Sequence, residues 1–313
     1  MNALTVAAQL AGGFLLLLFG GDWLVDGGVA IARRFRISPL VIGLTIVAFG
    51  TSAPELLVSV TSALKGNAGI AIGNVVGSNI VNIGLILGLT ALICPIVVET
   101  KSVTGNWLVM FFASLLLMLF SLGGEISRLE GAILFAGLLA YTWLSIRMGR
   151  RSGAGSDDDG KSPMRTLPAI LLVMLSCVML AYGADLLVDG ATTLARAIGV
   201  SDRVIGLTLV AFGTSLPELA ASLAAAFKKQ MDISIGNIIG SNIFNIMSVL
   251  GLSAAVTPIR FELGNYMRDF VVMLVFSVAL LFFISPWRKN GRLSRTAGLI
   301  LFLGYAAYAY FLF

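Results

Sequence analysis

Long apolar stretches separated by short polar ones run through the whole chain. Ten of these stretches are long enough to cross a bilayer as helices, which takes about 20 residues. The first has no basic residue before Arg33, unlike a signal peptide, so we expect it to be retained as a helix. The pattern predicts an all-α polytopic membrane protein whose ten spans lie at 5–30, 38–64, 69–95, 104–123, 129–148, 166–197, 203–227, 233–258, 267–286 and 294–313.

Polar residues inside the apolar stretches repeat at an offset of 163 residues. VIGLTIVAFGTSAPE at 41–55 matches VIGLTLVAFGTSLPE at 204–218 in 13 of 15 positions. The same offset aligns GNVVGSNIVNIGLILGLT at 73–90 with GNIIGSNIFNIMSVLGLS at 236–253, with 11 of 18 positions identical. A repeat of this length indicates two copies of one structural unit.

The two units have opposite orientations, because five predicted spans separate each position from its equivalent and five is odd. This inverted arrangement is typical of secondary transporters. We therefore expect two inverted five-helix repeats, at 1–148 and 166–313, with motifs at 41–90 and 204–253 and broken helices 2 and 7. The segment 149–165 is a polar linker, and we interpret Asp157, Asp158 and Asp159 in it as solvated acids rather than a calcium-binding loop.

Composition agrees with a membrane protein and excludes several kinds of site. Hydrophobic residues make up 58% of the chain and charged residues 12%. There is no histidine, which excludes imidazole zinc sites and Ser-His-Asp hydrolases. Cys94 and Cys177 lie in apolar stretches, where we expect buried free thiols.

Basic residues predict the orientation of the chain. With the N-terminus outside, 15 of the 21 lysines and arginines fall on cytoplasmic loops. We therefore expect both termini outside the plasma (inner) membrane and the central linker in the cytoplasm. This placement also explains the basic composition without a nucleic-acid partner; the surrounding partner is the lipid bilayer.

Each copy of the first motif places a glutamate beside a proline within an apolar span. A carboxylate near the bilayer centre costs about 3 kcal/mol or more, so Glu55 and Glu218 require a compensating partner. Pro54 and Pro217 each remove a backbone donor and free a carbonyl one turn earlier. Hydroxyl groups three and four residues before each acid can face the same cavity; they belong to Thr51, Ser52, Thr214 and Ser215.

The second motif adds neutral oxygen atoms. Ser78 and Asn82 are four residues apart on one helical face, and Ser241 and Asn245 repeat the arrangement. Carboxylates, hydroxyls and amide carbonyls together form a hard, all-oxygen site, which suits Ca²⁺ or Na⁺ rather than a transition metal. Two carboxylates balance one divalent ion, and the same oxygens can hold several monovalent ions instead, which is a basis for antiport.

Four further acids lie in pairs within the first and sixth spans, at Asp22, Asp26, Asp185 and Asp189. Like charges four residues apart on a helix repel each other. No ligand cluster accompanies them, so we favour access to water or pairing with another span over direct ion binding.

Both motifs resemble the two alpha-repeats of the sodium/calcium exchanger family, in the cation/calcium antiporter superfamily, and most closely its compact prokaryotic members. The resemblance implies a Ca²⁺ site flanked by Na⁺ sites, centred on Glu55 and Glu218 and reached alternately from each side as spans 1 and 6 move. It also implies ligation by the backbone carbonyls of Ala48 and Ala211. Some members carry Asp where this chain has Asn82 or Asn245, which leaves ion stoichiometry and K⁺ involvement open. The implied ligands are Glu55, Glu218, Thr51, Ser52, Ser78, Asn82, Thr214, Ser215, Ser241, Asn245, Ala48 and Ala211.

The sequence thus predicts a Na⁺/Ca²⁺ antiporter with no cofactor and no enzymatic activity that functions as a monomer. Three alternatives stay open at this point. Protons can replace Na⁺ as the coupling ion, because an apolar site favours protonation of a glutamate. A cation channel can use the same oxygen atoms. A membrane aspartyl protease also uses paired carboxylates, although the acids here are glutamates among cation-type ligands.

Overall fold

The computed structural model describes residues 3–151, 164–200, 211–284 and 290–312. The structure is almost entirely helical, with four short strands. The helices are α1 (Ala3–Phe35), α2 (Pro39–Ile42, Gly43–Val47 and Ala48–Thr51), α3 (Ala53–Leu64), α4 (Ala68–Val81, Asn82–Leu87 and Gly88–Ile93), α5 (Thr100–Ser121), α6 (Arg128–Arg151), α7 (Thr166–Ala197), α8 (Ala211–Gly213), α9 (Leu216–Phe227), α10 (Met231–Phe244, Asn245–Leu250 and Gly251–Val256), α11 (Leu263–Ile284) and α12 (Arg295–Tyr310). The strands are β1 (Ile96–Glu99), β2 (Glu125–Ile126), β3 (Ile259–Arg260) and β4 (Asn290–Leu293).

The predicted spans correspond closely to these helices. Within the described ranges, seven helices are long and apolar enough to cross a membrane, and the bent pair α2 and α3 makes an eighth span. The predicted span 203–227 is covered only in part, by α8 and α9, and the tenth corresponds to α12. The chain is therefore an all-α polytopic membrane protein of the predicted inverted-repeat class, while the acidic run at 157–159 lies outside the described residues.

Proline breaks the second span in the middle of the protein. The axes of α2 and α3 differ by 49°, and the break falls at Ser52, two residues before Pro54. Proline is accepted in the first turn of a helix, where its missing N–H has no partner to lose. The equivalent break separates α8 from α9, with Pro217 in the first turn of α9. Both predicted broken helices are thus observed, and each break directly precedes a glutamate.

Helices of the two repeats pack closely against each other at glycine residues. A Cβ atom added at Gly298 of α12 would lie 2.7 Å from the carbonyl oxygen of Gly88 in α4. The equivalent contact joins α6 to α10, because a Cβ atom at Gly131 would lie 2.7 Å from the carbonyl oxygen of Gly251. Small residues of this kind allow helices to approach closely in a membrane. The last helix of each repeat therefore packs on the third span of the other.

Two antiparallel strand pairs, which the sequence analysis did not predict, also join the repeats. β1 of the first repeat pairs with β4 of the second, from Ile96 opposite Leu293 to Glu99 opposite Asn290. β2 pairs with β3, where the Arg260 guanidinium also lies 2.9 Å from Glu125. Each pair connects a loop of one repeat to a loop of the other.

The spans differ greatly in how much of their surface other helices cover. In α4 and α10, 72% and 89% of the apolar stretch is buried within the protein. In α1 and α7 the corresponding values are 22% and 28%, and these two long helices pack chiefly on each other, with Gly13 against Gly183. Helices α4 and α10 therefore form the centre of the molecule, and α1 and α7 form a separate layer at its side.

Candidate functional site

Glu55 and Glu218 meet at the centre of the molecule. Each lies in the first turn of a helix that follows a break, and each side chain is 0% exposed. Glu218 is close enough to Glu55 for their charges to repel each other. Neither forms an ion pair with a basic residue in the described part of the chain. Two buried acids in this position require a cation, since an unpaired buried charge is strongly unfavourable.

The Glu218 half of the site is connected by hydrogen bonds. Ser52 donates to Glu218 Oε1 with an oxygen separation of 3.0 Å, and Ser241 donates to the same atom at 3.4 Å. The Thr51 hydroxyl lies 3.4 Å from Ser241 Oγ and donates to Asn237 Oδ1 at 3.2 Å. Residues of α2, α9 and α10 thus form one polar cluster, with Glu218 Oε2 left without a partner.

The Glu55 half has equivalent residues, and among the described residues fewer of them are linked by hydrogen bonds. Neither carboxylate oxygen of Glu55 accepts a hydrogen bond from a serine within the described residues, and Ser215 Oγ is buried without a partner. Thr214 lies beside the Glu55 carboxylate. Ser78 is buried, at 4% exposure, on α4. The predicted residues of this half are therefore brought together, but they leave more unpaired oxygen atoms than those of the other half.

Asparagine side chains cross-link α4 and α10 between the two halves. Asn82 Nδ2 donates to Asn242 Oδ1, and Asn245 Nδ2 donates to Asn79 Oδ1, both at 3.2 Å. These bonds use the amide NH₂ groups, so the Oδ1 atoms of Asn82 and Asn245 stay buried without a partner. The amide orientation follows from this network. Both predicted amides thus present acceptor atoms.

The predicted backbone ligands differ in what the structure shows of them. The Ala48 carbonyl accepts the Ser52 N–H at 3.0 Å and the Thr51 hydroxyl at 3.3 Å. A carbonyl has two lone pairs, and here both have partners. Ala211 begins α8 and its side chain lies outside the described residues. The assignment of both carbonyls as ligands remains a prediction.

Two asparagines that the sequence analysis missed hold the glutamates in place. Asn237 Nδ2 donates to the backbone carbonyl of Glu218 at 3.3 Å and to Ser222 Oγ at 2.9 Å. Asn74 makes the equivalent bonds to the Glu55 carbonyl at 3.3 Å and to Ser59 Oγ at 3.0 Å. Both belong to the aligned GN dipeptides, so the repeat itself contained the signal.

The unpaired atoms define what the site can bind. All are oxygen atoms that can accept a hydrogen bond or bind a cation, and only the Ser215 hydroxyl can also donate; they are Glu55 Oε1 and Oε2, Glu218 Oε2, Ser215 Oγ, Asn82 Oδ1 and Asn245 Oδ1. The described residues contain no cluster of three or more Asp, Glu or Cys side chains. Two acids among neutral oxygens fit a hard cation, so the site is suited to Ca²⁺ or Na⁺ as a transported substrate.

The four aspartates of the first and sixth spans lie outside this site. Asp22 and Asp26 pair with Lys228, at the end of α9, which confirms the alternative of pairing with another span. Asp185 and Asp189 are exposed on α7. Cys94 and Cys177 are free thiols, as predicted, although each is half-buried rather than buried.

Comparison with known proteins gives consistent matches over the whole chain. The family described as "Sodium/calcium exchanger protein" matches residues 5–147 and 168–313. The chain is 37% identical to the inner membrane protein YrbG of Escherichia coli, over 96% of this chain and 95% of that protein. It is 33% identical to the sodium/calcium exchanger MaX1 of Methanosarcina acetivorans, over 96% of both. A solved structure of the sodium-calcium exchanger NCX_Mj, soaked with zero Na⁺ and Ca²⁺, superimposes over 100% of both chains with a TM-score of 0.86 and 34% identity.

Proposed function

Since the chain belongs to the sodium/calcium exchanger family, we propose that it exchanges Na⁺ for Ca²⁺ through a single buried site by alternating access. The observation that carries this proposal is the pair of fully buried glutamates, Glu55 and Glu218, one from each inverted repeat. Their two charges balance one Ca²⁺, and the surrounding neutral oxygens accommodate Na⁺ instead. One set of ligands that serves either cargo couples the two fluxes.

We assign the ligands by their place around this pair. Glu55 and Glu218 supply the charge, and hydroxyl and amide oxygens from both repeats complete the shell. The two unpaired amide oxygens of Asn82 and Asn245 support this assignment most directly, because a buried acceptor without a partner costs about 1 to 3 kcal/mol. The remaining proposed ligands are Thr51, Ser52, Ser78, Thr214, Ser215, Ser241 and the carbonyls of Ala48 and Ala211.

Alternating access requires some helices to move while the site stays intact. We assign the movement to α1 and α7, which pack on each other and bury only a small share of their apolar stretch within the protein. Helix α6 is buried as little, but it packs on α10 through Gly131 and so belongs to the fixed part. The interleaved α4, α6, α10 and α12 form the fixed part. Inverted repeats commonly move in this way, with one layer rocking against the other.

We further propose that the protein lies in the plasma (inner) membrane as a functional monomer, with both termini outside and the linker at 149–165 in the cytoplasm. The distribution of basic residues supports the orientation, and the relative YrbG is named an inner membrane protein. Exchange of ions needs no covalent step, and we assign the chain no enzymatic activity and no cofactor.

Uptake of radiolabelled Ca²⁺ into proteoliposomes tests the function. Vesicles loaded with Na⁺ are compared with vesicles loaded with K⁺ or choline at matched pH, and Glu55→Gln is measured beside wild type. Glu125→Gln is the matched control, because it makes the same chemical change at a glutamate that lies outside the site, in a surface ion pair with Arg260. We expect uptake that requires internal Na⁺, that Glu55→Gln abolishes and that Glu125→Gln retains.

The other outcomes discriminate among the alternatives. Uptake driven by a pH gradient and indifferent to Na⁺ would replace Na⁺ with H⁺ as the coupling ion. Flux that does not saturate and needs no counter-ion would indicate a channel. Wild-type exchange in Glu55→Gln would contradict the assignment of the site.

A further inference from the structure

Lys228 binds two aspartates of another helix. Its ammonium nitrogen lies 2.7 Å from Asp22 Oδ1 and 2.7 Å from Asp26 Oδ1. The same nitrogen donates to the backbone carbonyl of Asp22 at 3.0 Å. Asp22 and Asp26 are four residues apart on α1, where two negative charges repel each other. One lysine at the end of α9 therefore neutralises the pair and fastens α1 to α9.

The same three residue types recur at the equivalent positions, with the lysine now in the first repeat and the two aspartates in the second. Lys65 follows α3 as Lys228 follows α9, and Asp185 and Asp189 are four residues apart on α7. The turns also match, because the next residue after each lysine has a positive φ, 79° at Gly66 and 59° at Lys229. Each of these residues lies 163 positions from its equivalent.

The equivalent set of Lys65, Asp185 and Asp189 is open in this structure. No ion pair joins Lys65 to Asp185 or Asp189 among the described residues, and all three side chains are exposed. We call Lys228 with Asp22 and Asp26 the closed cluster, and Lys65 with Asp185 and Asp189 the open cluster. Identical residue types thus form ion pairs between the repeats at one of the two equivalent places and none at the other.

Helix packing shows the same asymmetry. α1 lies directly on α9, and a Cβ atom at Gly21 would meet the carbonyl oxygen of Ala220 at 2.8 Å. The equivalent helices α7 and α3 do not pack on each other to a comparable extent. Because the repeats are inverted, the two clusters lie towards opposite faces of the membrane. Ion pairs and close packing therefore join α1 to α9 at one face, and no ion pair joins α7 to α3 at the other within the described residues.

We propose that the two lysines are positioning residues for transport, which fasten α1 and α7 alternately at opposite faces as the site changes its access. The proposal rests on the alternating-access antiport proposed above. In the conformation described here, Lys228 holds α1 on α9; in the opposite conformation, Lys65 holds α7 on α3. A partly exposed ion pair of this kind changes the ratio of the two conformers by up to about fivefold, which biases the cycle without stopping it.

Distance measurement between spin labels tests the proposal without relying on transport. Labels are placed at the exposed positions Leu57 on α3 and Leu194 on α7, after both native cysteines have been replaced by alanine. Lys228→Gln is compared with Lys229→Gln. The control removes the same charge from the next residue, whose side chain is exposed and has no ion pair in the described structure. The distance between the labels should be shorter in the conformation in which α7 packs on α3. We expect Lys228→Gln to increase the population with this shorter distance severalfold, and Lys229→Gln to leave the distribution as in wild type.

Two further variants separate a positioning role from simple loss of stability. Lys228→Arg and the charge exchange of Lys228→Asp with Asp26→Lys should each restore the wild-type distance distribution. Lys228→Gln should also change the apparent KM for Ca²⁺, in opposite directions at the two faces of the membrane. General destabilisation would instead lower only the amount of active protein and leave the apparent KM unchanged.

The outcomes distinguish this proposal from the function on which it rests. An unchanged distance distribution in well-folded Lys228→Gln would overturn the proposal even if Na⁺-dependent exchange is intact. A shifted distribution in a protein without Na⁺-dependent exchange would support the alternating clusters and contradict the assigned antiport.

Discussion

The two halves of the ion site contain the same residues and make different contacts. Glu218 accepts hydrogen bonds from Ser52 and Ser241, whereas the equivalent serines, Ser215 and Ser78, donate none to Glu55 in the described structure. The asparagine bonds between α4 and α10 are instead the same in both directions, at 3.2 Å. The asymmetry within the site therefore concerns the serines around the two carboxylates rather than the asparagines. A site built from inverted repeats keeps a symmetric centre while its two edges alternate.

The largest expected effect is common to both halves. Glu55→Gln and Glu218→Gln should each lower Na⁺-dependent Ca²⁺ uptake by more than about a hundredfold, since even supporting residues around a metal are worth about 10- to 100-fold. The double variant should be no worse than either single one, because the two acids act as a unit. Uptake measured at matched protein amounts checks this, and additive losses would show that each glutamate serves a separate ion path.

A smaller effect should follow when either of the asparagines that support the glutamates is removed. Asn237→Ala should lower exchange by about 10- to 100-fold, because Asn237 holds both the Glu218 carbonyl and the Thr51 hydroxyl. Asn74→Ala should lower it by a similar factor, because Asn74 makes the equivalent bonds to the Glu55 carbonyl and to Ser59 Oγ. Asn106→Ala, which removes an amide that bonds Tyr141 on the far side of α5, is the control. Wild-type exchange in Asn74→Ala and Asn237→Ala would show that these amides do not support the glutamates.

The smallest effect concerns the serines and is read from stability rather than transport. In buffer without Na⁺ or Ca²⁺, Ser52→Ala should lower the free energy of unfolding by about 2 kcal/mol, the usual contribution of a hydrogen bond to a charged group. Ser215→Ala should leave it nearly unchanged, because Ser215 Oγ has no partner to lose. Thermal denaturation of both variants measures the two losses of stability. A larger loss in Ser215→Ala than in Ser52→Ala would contradict the prediction.

The sequence predicted which residues the structure brings together around the two glutamates, because the repeat identified them. Glu55 and Glu218, the hydroxyl-bearing neighbours and the amides of Asn82 and Asn245 all lie within aligned positions, and proline fixed the place of each break. Asn74 and Asn237 lay in the same alignment and were missed, because their amides bind backbone carbonyls rather than face the ion. A search limited to groups that touch the cargo overlooks those that hold the ligands.

Other features could not follow from the pattern of residues. The pairing of β1 with β4 joins segments nearly 200 residues apart, and four-residue strands give too short an alternation to detect. The asymmetry of the two halves is also invisible in the sequence, since identical motifs predict identical contacts. It belongs to one conformation of the chain, and a sequence specifies both conformations at once.

The crossed strand pairs have a consequence for whether the two halves need to be one chain. β1 and β2 of the first repeat pair with β4 and β3 of the second, so each half supplies the strands that complete the other. This is the arrangement of two subunits in an antiparallel dimer. Residues 1–151 and 164–313, produced as separate polypeptides, should therefore assemble and copurify as a complementing pair.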